Sequence, residues 1–260
     1  MSNIRQAFQN GKAFIPFITC GDPDLESTKR NVRAAVAAGA DLVELGIPFS
    51  DPTAEGPVIQ AANLRALSGG VTTDAVFQMV AELREELTPP LVFMTYANVV
   101  FSYGIEHFAA RAAEVGIDGI ILPDVPFEEK EEFAPAFRAA GIDFISMIAP
   151  TSMARIREIA AAAEGFLYVV SSLGVTGVRQ EINTDLSGML ASVRQANPSL
   201  PAAIGFGIST PAQAKRMAAV ADGVIVGSAI VRIMAEKGRE ADEEIARYVR
   251  EMKTAANTFQ

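Results

Sequence analysis

The chain has 260 residues, with 22 Lys and Arg against 31 Asp and Glu, a formal net charge of −9. This acidic balance, with no Lys/Arg-rich run to offset it locally, argues against nucleic acid or an anionic membrane surface as the main partner. Half of the residues are hydrophobic and a fifth are charged, which gives enough apolar material for a large core and rules out a disordered chain.

No stretch reaches the roughly 18 uninterrupted apolar residues of a membrane-spanning helix. The single cysteine, Cys20, cannot form an internal disulfide, and residues 1–6 lack the apolar run of a signal peptide, so a reducing, cytoplasmic location is expected. Nothing basic near Cys20 would activate it, and it is expected to be a small buried filler. The only histidine, His107, excludes a His-based zinc site. It lies in a helix-like stretch away from any strand end and is expected on a helix surface, not in a nucleophilic triad.

From the N-terminus onward, short apolar runs alternate with longer helical patterns. The runs expected as strands are residues 13–18, 42–45, 91–95, 119–122, 144–148, 166–170, 203–206 and 223–226. Helical patterns occupy residues 25–38, 72–86, 106–115, 128–140, 153–162, 186–195 and 211–218, several stopped by glycine, as at Gly39, Gly116 and Gly141. Strands that are apolar throughout, joined by helices, indicate a parallel sheet buried on both faces. Eight such units in this length match a single (β/α)8 TIM barrel over residues 1–260, an α/β fold with extra helices in the second loop and at the N-terminus. A doubly wound open sheet is the competitor, but the first strand runs into Thr19-Cys20-Gly21-Asp22-Pro23 instead of a G-x-G-x-x-G turn.

Two connections, residues 46–70 and 171–185, are longer than a helix requires and would emerge on the catalytic face of a barrel. Gly205-Phe206-Gly207-Ile208-Ser209 after the seventh strand and Gly227-Ser228 after the eighth both precede helix starts. Glycine lets backbone N–H groups approach an anion, and a helix N-terminus adds unpaired donors. One such loop would be read as a tight turn. Two adjacent ones, where barrels commonly hold phosphate, point to a phosphate site. Glu44 interrupts the apolar strand Leu42-Val43-Glu44-Leu45, where burial would raise its pKa toward the range of a group that both gives and takes protons. A structural, paired carboxylate is the alternative. Asp124, ending the fourth strand in Leu122-Pro123-Asp124, is placed for either function or hydrogen-bonding support.

The stretch from Glu44 to Gln60 resembles the signature E-L-G-x-P-F-S-D-P-x-A-D-G-P-x-I-Q of the tryptophan synthase alpha chain family, with Glu55 where most members have aspartate. Tyr96-Ala97-Asn98, Pro123-Asp124-Val125-Pro126, Gly174-Val175-Thr176-Gly177, Gly205-Phe206-Gly207-Ile208-Ser209 and Gly227-Ser228-Ala229-Ile230-Val231 follow in family order. The resemblance implies cleavage of indole-3-glycerol phosphate to indole and glyceraldehyde 3-phosphate, with indole passed to a beta chain carrying pyridoxal phosphate in an alpha2beta2 complex. No cofactor or metal is implied in this chain.

On the same resemblance Glu44 is the acid/base at indole C3 and the glycerol hydroxyl, and Glu55 accepts the indole N–H. Tyr96, Asp124, Tyr168, Gly205, Phe206, Gly207, Gly227 and Ser228 lie at the substrate. Loop six, residues 171–180, closes as a lid over the substrate, with Thr176 and Gly177 at the substrate and Thr176 supporting the catalytic carboxylate on loop two. Pro48, Asp51 and Pro52 match the region that meets the beta chain. Phe14, Phe17, Ile59 and Met94 are candidate walls for the indole, with core packing as the alternative. Another phosphosugar barrel, such as an isomerase, would keep the glycine loops without needing the loop-two signature. A non-catalytic chain that only activates a beta partner is the third reading.

Overall fold

The computed structural model describes residues 3–171 and 185–258. Its strands are β1 (Ala13–Thr19), β2 (Val43–Gly46), β3 (Leu91–Met94), β4 (Gly119–Ile121), β5 (Asp143–Phe144), β6 (Met147–Ile148), β7 (Leu167–Val170), β8 (Ala202–Gly205) and β9 (Gly223–Val226). Every pairing is parallel, in the order β5-β4-β3-β2-β1-β9-β8-β7-β6. The two outer members are halves of one segment, residues 143–148. Ile145 N–H donates to the Ile120 carbonyl at 2.9 Å, and Tyr168 N–H donates to the Ser146 carbonyl at 3.0 Å. The sheet therefore closes through this segment into the expected eight-staved barrel.

Alternation along the strands sorts side chains into two layers. Ala13, Ile15 and Phe17 of β1 point into the barrel with Val92, Met94, Phe166, Tyr168 and Ile225. Phe14, Ile18, Val43, Leu45 and Phe93 point outward beneath the helices. In the outer layer Phe77 meets Phe93 and Phe108 edge-on at 5.6 and 5.1 Å between ring centroids.

The helices are α1 (Leu25–Ala37), α2 (Pro57–Ser68), α3 (Thr73–Arg84), α4 (Ala97–Tyr103), α5 (Ile105–Glu114), α6 (Ala134–Ala139), α7 (Met153–Ala161), α8 (Leu186–Ala196), α9 (Pro211–Ala218), α10 (Ser228–Lys237) and α11 (Asp242–Ala256). The helix predicted over 128–140 is instead a 3-10 helix, Phe127–Glu132, followed by α6. Pro135 lacks an N–H and is tolerated only in a helix's first turn, so the segment restarts there. α4, α10 and α11 lie outside the predicted helical stretches, although a helix start is expected after Gly227-Ser228. His107 is exposed on α5 with its ring stacked on Tyr103, and Cys20 is buried, its thiol pushed up by desolvation.

The extra N-terminal element is a 3-10 helix, Ile4–Phe8. Ile4 and Ala7 are buried in the interior layer and Phe8 packs on Phe166 at 5.7 Å. Ile4 Cδ1 stands 2.8 Å from where a Cβ on Gly119 would be. This plug fills the N-terminal mouth, so interior space is accessible from the C-terminal ends of the strands.

Replacing Phe77, fully buried at the centre of the aromatic cluster, by alanine removes both apolar burial and edge-on contacts. Phe77→Ala is expected to destabilise by about 3 to 5 kcal/mol, seen as a lower urea midpoint in circular dichroism.

Candidate active site

A small cavity remains at the C-terminal mouth. Phe17 of β1, Met94 of β3, Ile225 of β9 and Ile59 of α2 form its apolar wall. Gly46 matters here: a Cβ on it would lie 2.5 Å from Phe17 Cζ, so only glycine lets that ring lie across the end of β2.

Glu44 is an inward position of β2, in register with Phe17 on one side and Val92 on the other. It is 0% exposed, and neither carboxylate oxygen has a hydrogen-bond partner among the described residues. Desolvation raises its pKa to about 8, so near neutrality the group holds its proton. Glu55 stands just before α2, whose N-cap is Gly56 and first residue Pro57. It is 5% exposed, and burial pushes its pKa up to about 7 against the opposing hydrogen bond from Asn63. The two carboxyl groups line one cavity and burial raises both, with a hydrogen bond from Asn63 opposing the rise at Glu55.

Tyr168 projects from β7 into the same space, where burial, and secondarily Glu44, raise its pKa. A Cβ on Gly205 would lie 2.4 Å from the Tyr168 hydroxyl, so the glycine is what admits the phenol. Phe206 meets Tyr168 edge-on at 6.2 Å and takes φ 71°, a left-handed conformation unusual for a bulky side chain. Such strain costs on the order of 1–3 kcal/mol and is typical of functional turns. Gly207 continues the turn at φ 75°.

The two expected anion loops divide unequally. At α9, Gln213 Oε1 accepts from the N–H groups of Ser209 (2.8 Å) and Thr210 (3.1 Å), and Thr210 Oγ1 accepts from Gln213 N–H (3.3 Å). That capping box consumes donors the sequence suggested for an anion. At α10 no side chain caps the helix, its first turn holds no acid, and Gly227 and Ser228 face the cavity. Of the two helix starts, the one without a side-chain cap, α10, shares the cavity with Gly207.

A family model described as "Tryptophan synthase alpha chain" matches residues 2–259. The tryptophan synthase alpha chain of Lacticaseibacillus casei is 48% identical over 99% of this chain and 96% of its own length, and that of Lactiplantibacillus plantarum is 50% identical over 98% and 96%. The crystal structure of tryptophan synthase subunit alpha from Legionella pneumophila superposes with a TM-score of 0.86 at 35% identity, covering all of both chains. The chain belongs to the tryptophan synthase alpha chain family.

Of the residues singled out in the sequence, Glu44, Glu55, Tyr168, Phe206, Gly207, Gly227 and Ser228 line the cavity, and Gly205 lies directly beneath Tyr168. Phe17, Ile59 and Met94 are walls, whereas Phe14 is an outward residue of β1 and packs under the helices. Tyr96 and Asp124 do not line it. The Tyr96 hydroxyl accepts from Ala54 N–H at 3.2 Å and its ring stacks on Phe49 at 5.2 Å, so it supports loop two. Asp124 is exposed and accepts from Ala97 N–H at 3.0 and 3.2 Å, at the start of α4. Thr176 and Gly177 lie outside the described residues. Sequence reasoning missed Ile208 and Ile225 in the lining, and it missed Asn63. Asn63's signal was legible as a polar residue within the helical stripe Ile59, Ala62, Ala66.

Glu44 couples the site to stability. Its pKa rises from 4.5 to about 8 on folding, so the folded state binds the proton more tightly. Stability from this group is full below pH 4.5, falls as pH rises toward 8, and is level above it. Glu44→Gln is expected to flatten that slope, measured by thermal melts from pH 5 to 9.

Proposed function

We propose that this chain is the lyase of a tryptophan synthase, cleaving indole-3-glycerol phosphate to indole and glyceraldehyde 3-phosphate. The observation that carries the reading is the buried Glu44 carboxyl group, without a hydrogen-bond partner among the described residues and protonated near neutrality, in one cavity with Glu55 and the α10 N-terminus. Residues 1–260 form one barrel domain in this reading.

The substrate phosphate sits at Gly207, Gly227 and Ser228, and the indole lies between Phe17, Ile59 and Met94. Glu44 gives its proton to indole C3, and the ring becomes an indolenine cation that serves as the electron sink. The Glu55 carboxylate accepts the indole N–H, which becomes more acidic as that charge develops. Glu44, now ionised, takes the proton of the glycerol hydroxyl adjacent to the ring. The O–H electrons form the aldehyde C=O, the bond from that carbon to indole C3 breaks, and its electron pair restores the aromatic ring. No lysine, arginine or histidine lines the cavity among the described residues, so the ring itself must receive the electrons.

Indole is passed to a beta chain that carries pyridoxal phosphate, in an alpha2beta2 complex in the cytoplasm. Solved relatives include a tryptophan synthase complex from Pyrococcus furiosus, 36% identical with a TM-score of 0.82 over 94% of this chain and 98% of the other. On loop two Asp51 is exposed and Pro52 half-buried, available to a partner, while Pro48 is buried. No helix among the described residues is long and apolar enough to cross a membrane.

Steady-state indole release, with and without a beta chain, tests the reading. Glu44→Gln should lower kcat by roughly 10²- to 10⁴-fold, and Glu55→Asp, which installs the residue usual in the family, should remain active. A wild-type chain that releases no indole in either condition overturns the proposal.

The pH profile of kcat/KM should be bell-shaped. Activity is lost below about 7 as Glu55 gains a proton and above about 8 as Glu44 loses one. Glu44→Gln should abolish the bell, and a flat wild-type profile from pH 6 to 9 would contradict the two assignments.

A further inference from the structure

α2 turns Ile59, Ala62, Asn63 and Ala66 toward the interior, and Asn63 is the one polar member of that stripe. It is 3% exposed, and a buried amide is costly unless its hydrogen bonds are made. Asn63 Nδ2 donates to Glu55 Oε2 at 2.6 Å, while Gln60 Nε2 donates to the Glu55 main-chain oxygen at 2.6 Å. The helix thus grips the residue just before its own N-cap twice, once by the backbone and once by the carboxylate.

The reaction requires from Glu55 an ionised carboxylate at a fixed point. Its titratable neighbours in the cavity are Glu44 from β2 and Tyr168 from β7, with Tyr96 behind it at the end of β3, and each of these ionises to an anion. Burial disfavours the charged form, and the hydrogen bond from Asn63 opposes it. Glu55 is also one methylene longer than the aspartate usual in the family, so its carboxylate has an additional rotatable bond to restrain.

We infer that Asn63 is a positioning residue for the reaction, aiming the Glu55 carboxylate into the cavity and taking up the reach of the extra methylene. This rests on the lyase reading above. Asn63 acts through Glu55 and touches no reacting atom.

The test uses the full chain with a beta chain, measuring indole release across pH for Asn63→Leu, Glu55→Gln, the double variant, and the compensating pair Asn63→Gln with Glu55→Asp. Asn63→Leu should lower kcat at neutral pH by roughly ten-fold, leave KM within about two-fold, and move the acidic limb to higher pH. The double variant should be no slower than Glu55→Gln alone, because the amide has nothing left to hold. The compensating pair, which shortens one side chain and lengthens the other, should recover most of the loss. Near wild-type kcat in Asn63→Leu, or losses that multiply in the double variant, would overturn the assignment.

Carbon-13 NMR titration of the Glu55 carboxyl on the free chain, identified by its absence in Glu55→Gln, needs no turnover. Asn63→Leu should raise its midpoint above the wild-type value, and an unchanged midpoint would overturn the assignment. If wild type released no indole, the lyase reading alone would fall, and the titration would still decide whether Asn63 holds Glu55.

Discussion

A carboxyl group that finds no hydrogen-bond donor among the described residues, inside an apolar cylinder, is the constraint around which this molecule is arranged. Glu44 occupies an inward position of β2 where the strand pattern otherwise calls for an aliphatic residue, and both its oxygens lack partners among the described residues. The barrel tolerates it because the proton stays on, which replaces the cost of a buried charge with the smaller one of a buried neutral group. The same desolvation readies a proton for delivery and withholds it from solvent. Surrounding features keep the environment dry: the Ile4–Phe8 plug closes the far mouth, Phe17 lies over Gly46, and Phe206 leans on Tyr168.

The second carboxylate is handled in the opposite way. Glu55 is not in a strand but at the threshold of α2, an element inserted in the second loop, and its position depends on how that helix is tied down. Arg65 of α2 makes a two-pronged contact with the buried Asp22 of the first loop at 2.8 and 2.7 Å. Asn63 and Gln60 then secure Glu55 to the helix. A rigid strand carries Glu44 and a clamped helix carries Glu55, the proposed proton donor and acceptor.

The anion cradle follows from a division of backbone donors. Both α9 and α10 begin at strand ends beside the cavity, but α9 is sealed by its own Thr210 and Gln213, while α10 starts at Gly227 with no side-chain cap. An uncapped helix start is a small loss for the fold and supplies partial positive charge without a lysine. That suits the proposed acid chemistry, in which a cation beside Glu44 would favour its ionised form.

The eight-unit barrel, the inward glutamate and the glycine turns were legible in the sequence, because periodicity, burial cost and glycine's backbone freedom are local properties. So was the break between apolar walls and outer core in principle, although Phe14 and Phe17 look alike until the strand phase is known. The segment 128–140 read as one helix because its polarity pattern outweighed a single Pro135. Tyr96 and Asp124 sit in motif positions yet serve loop two and α4, and only the fold shows which atoms they reach. The sequence by itself determined that a carboxylate would be buried at a strand end and that backbone amides would be exposed near it. Tertiary structure alone decided that Asn63 reaches Glu55 and that Gly227 and Ser228 at the start of α10 face the same cavity. Those outcomes depend on which side chain arrives within 3 Å of which atom, a distance that no spacing along the chain encodes.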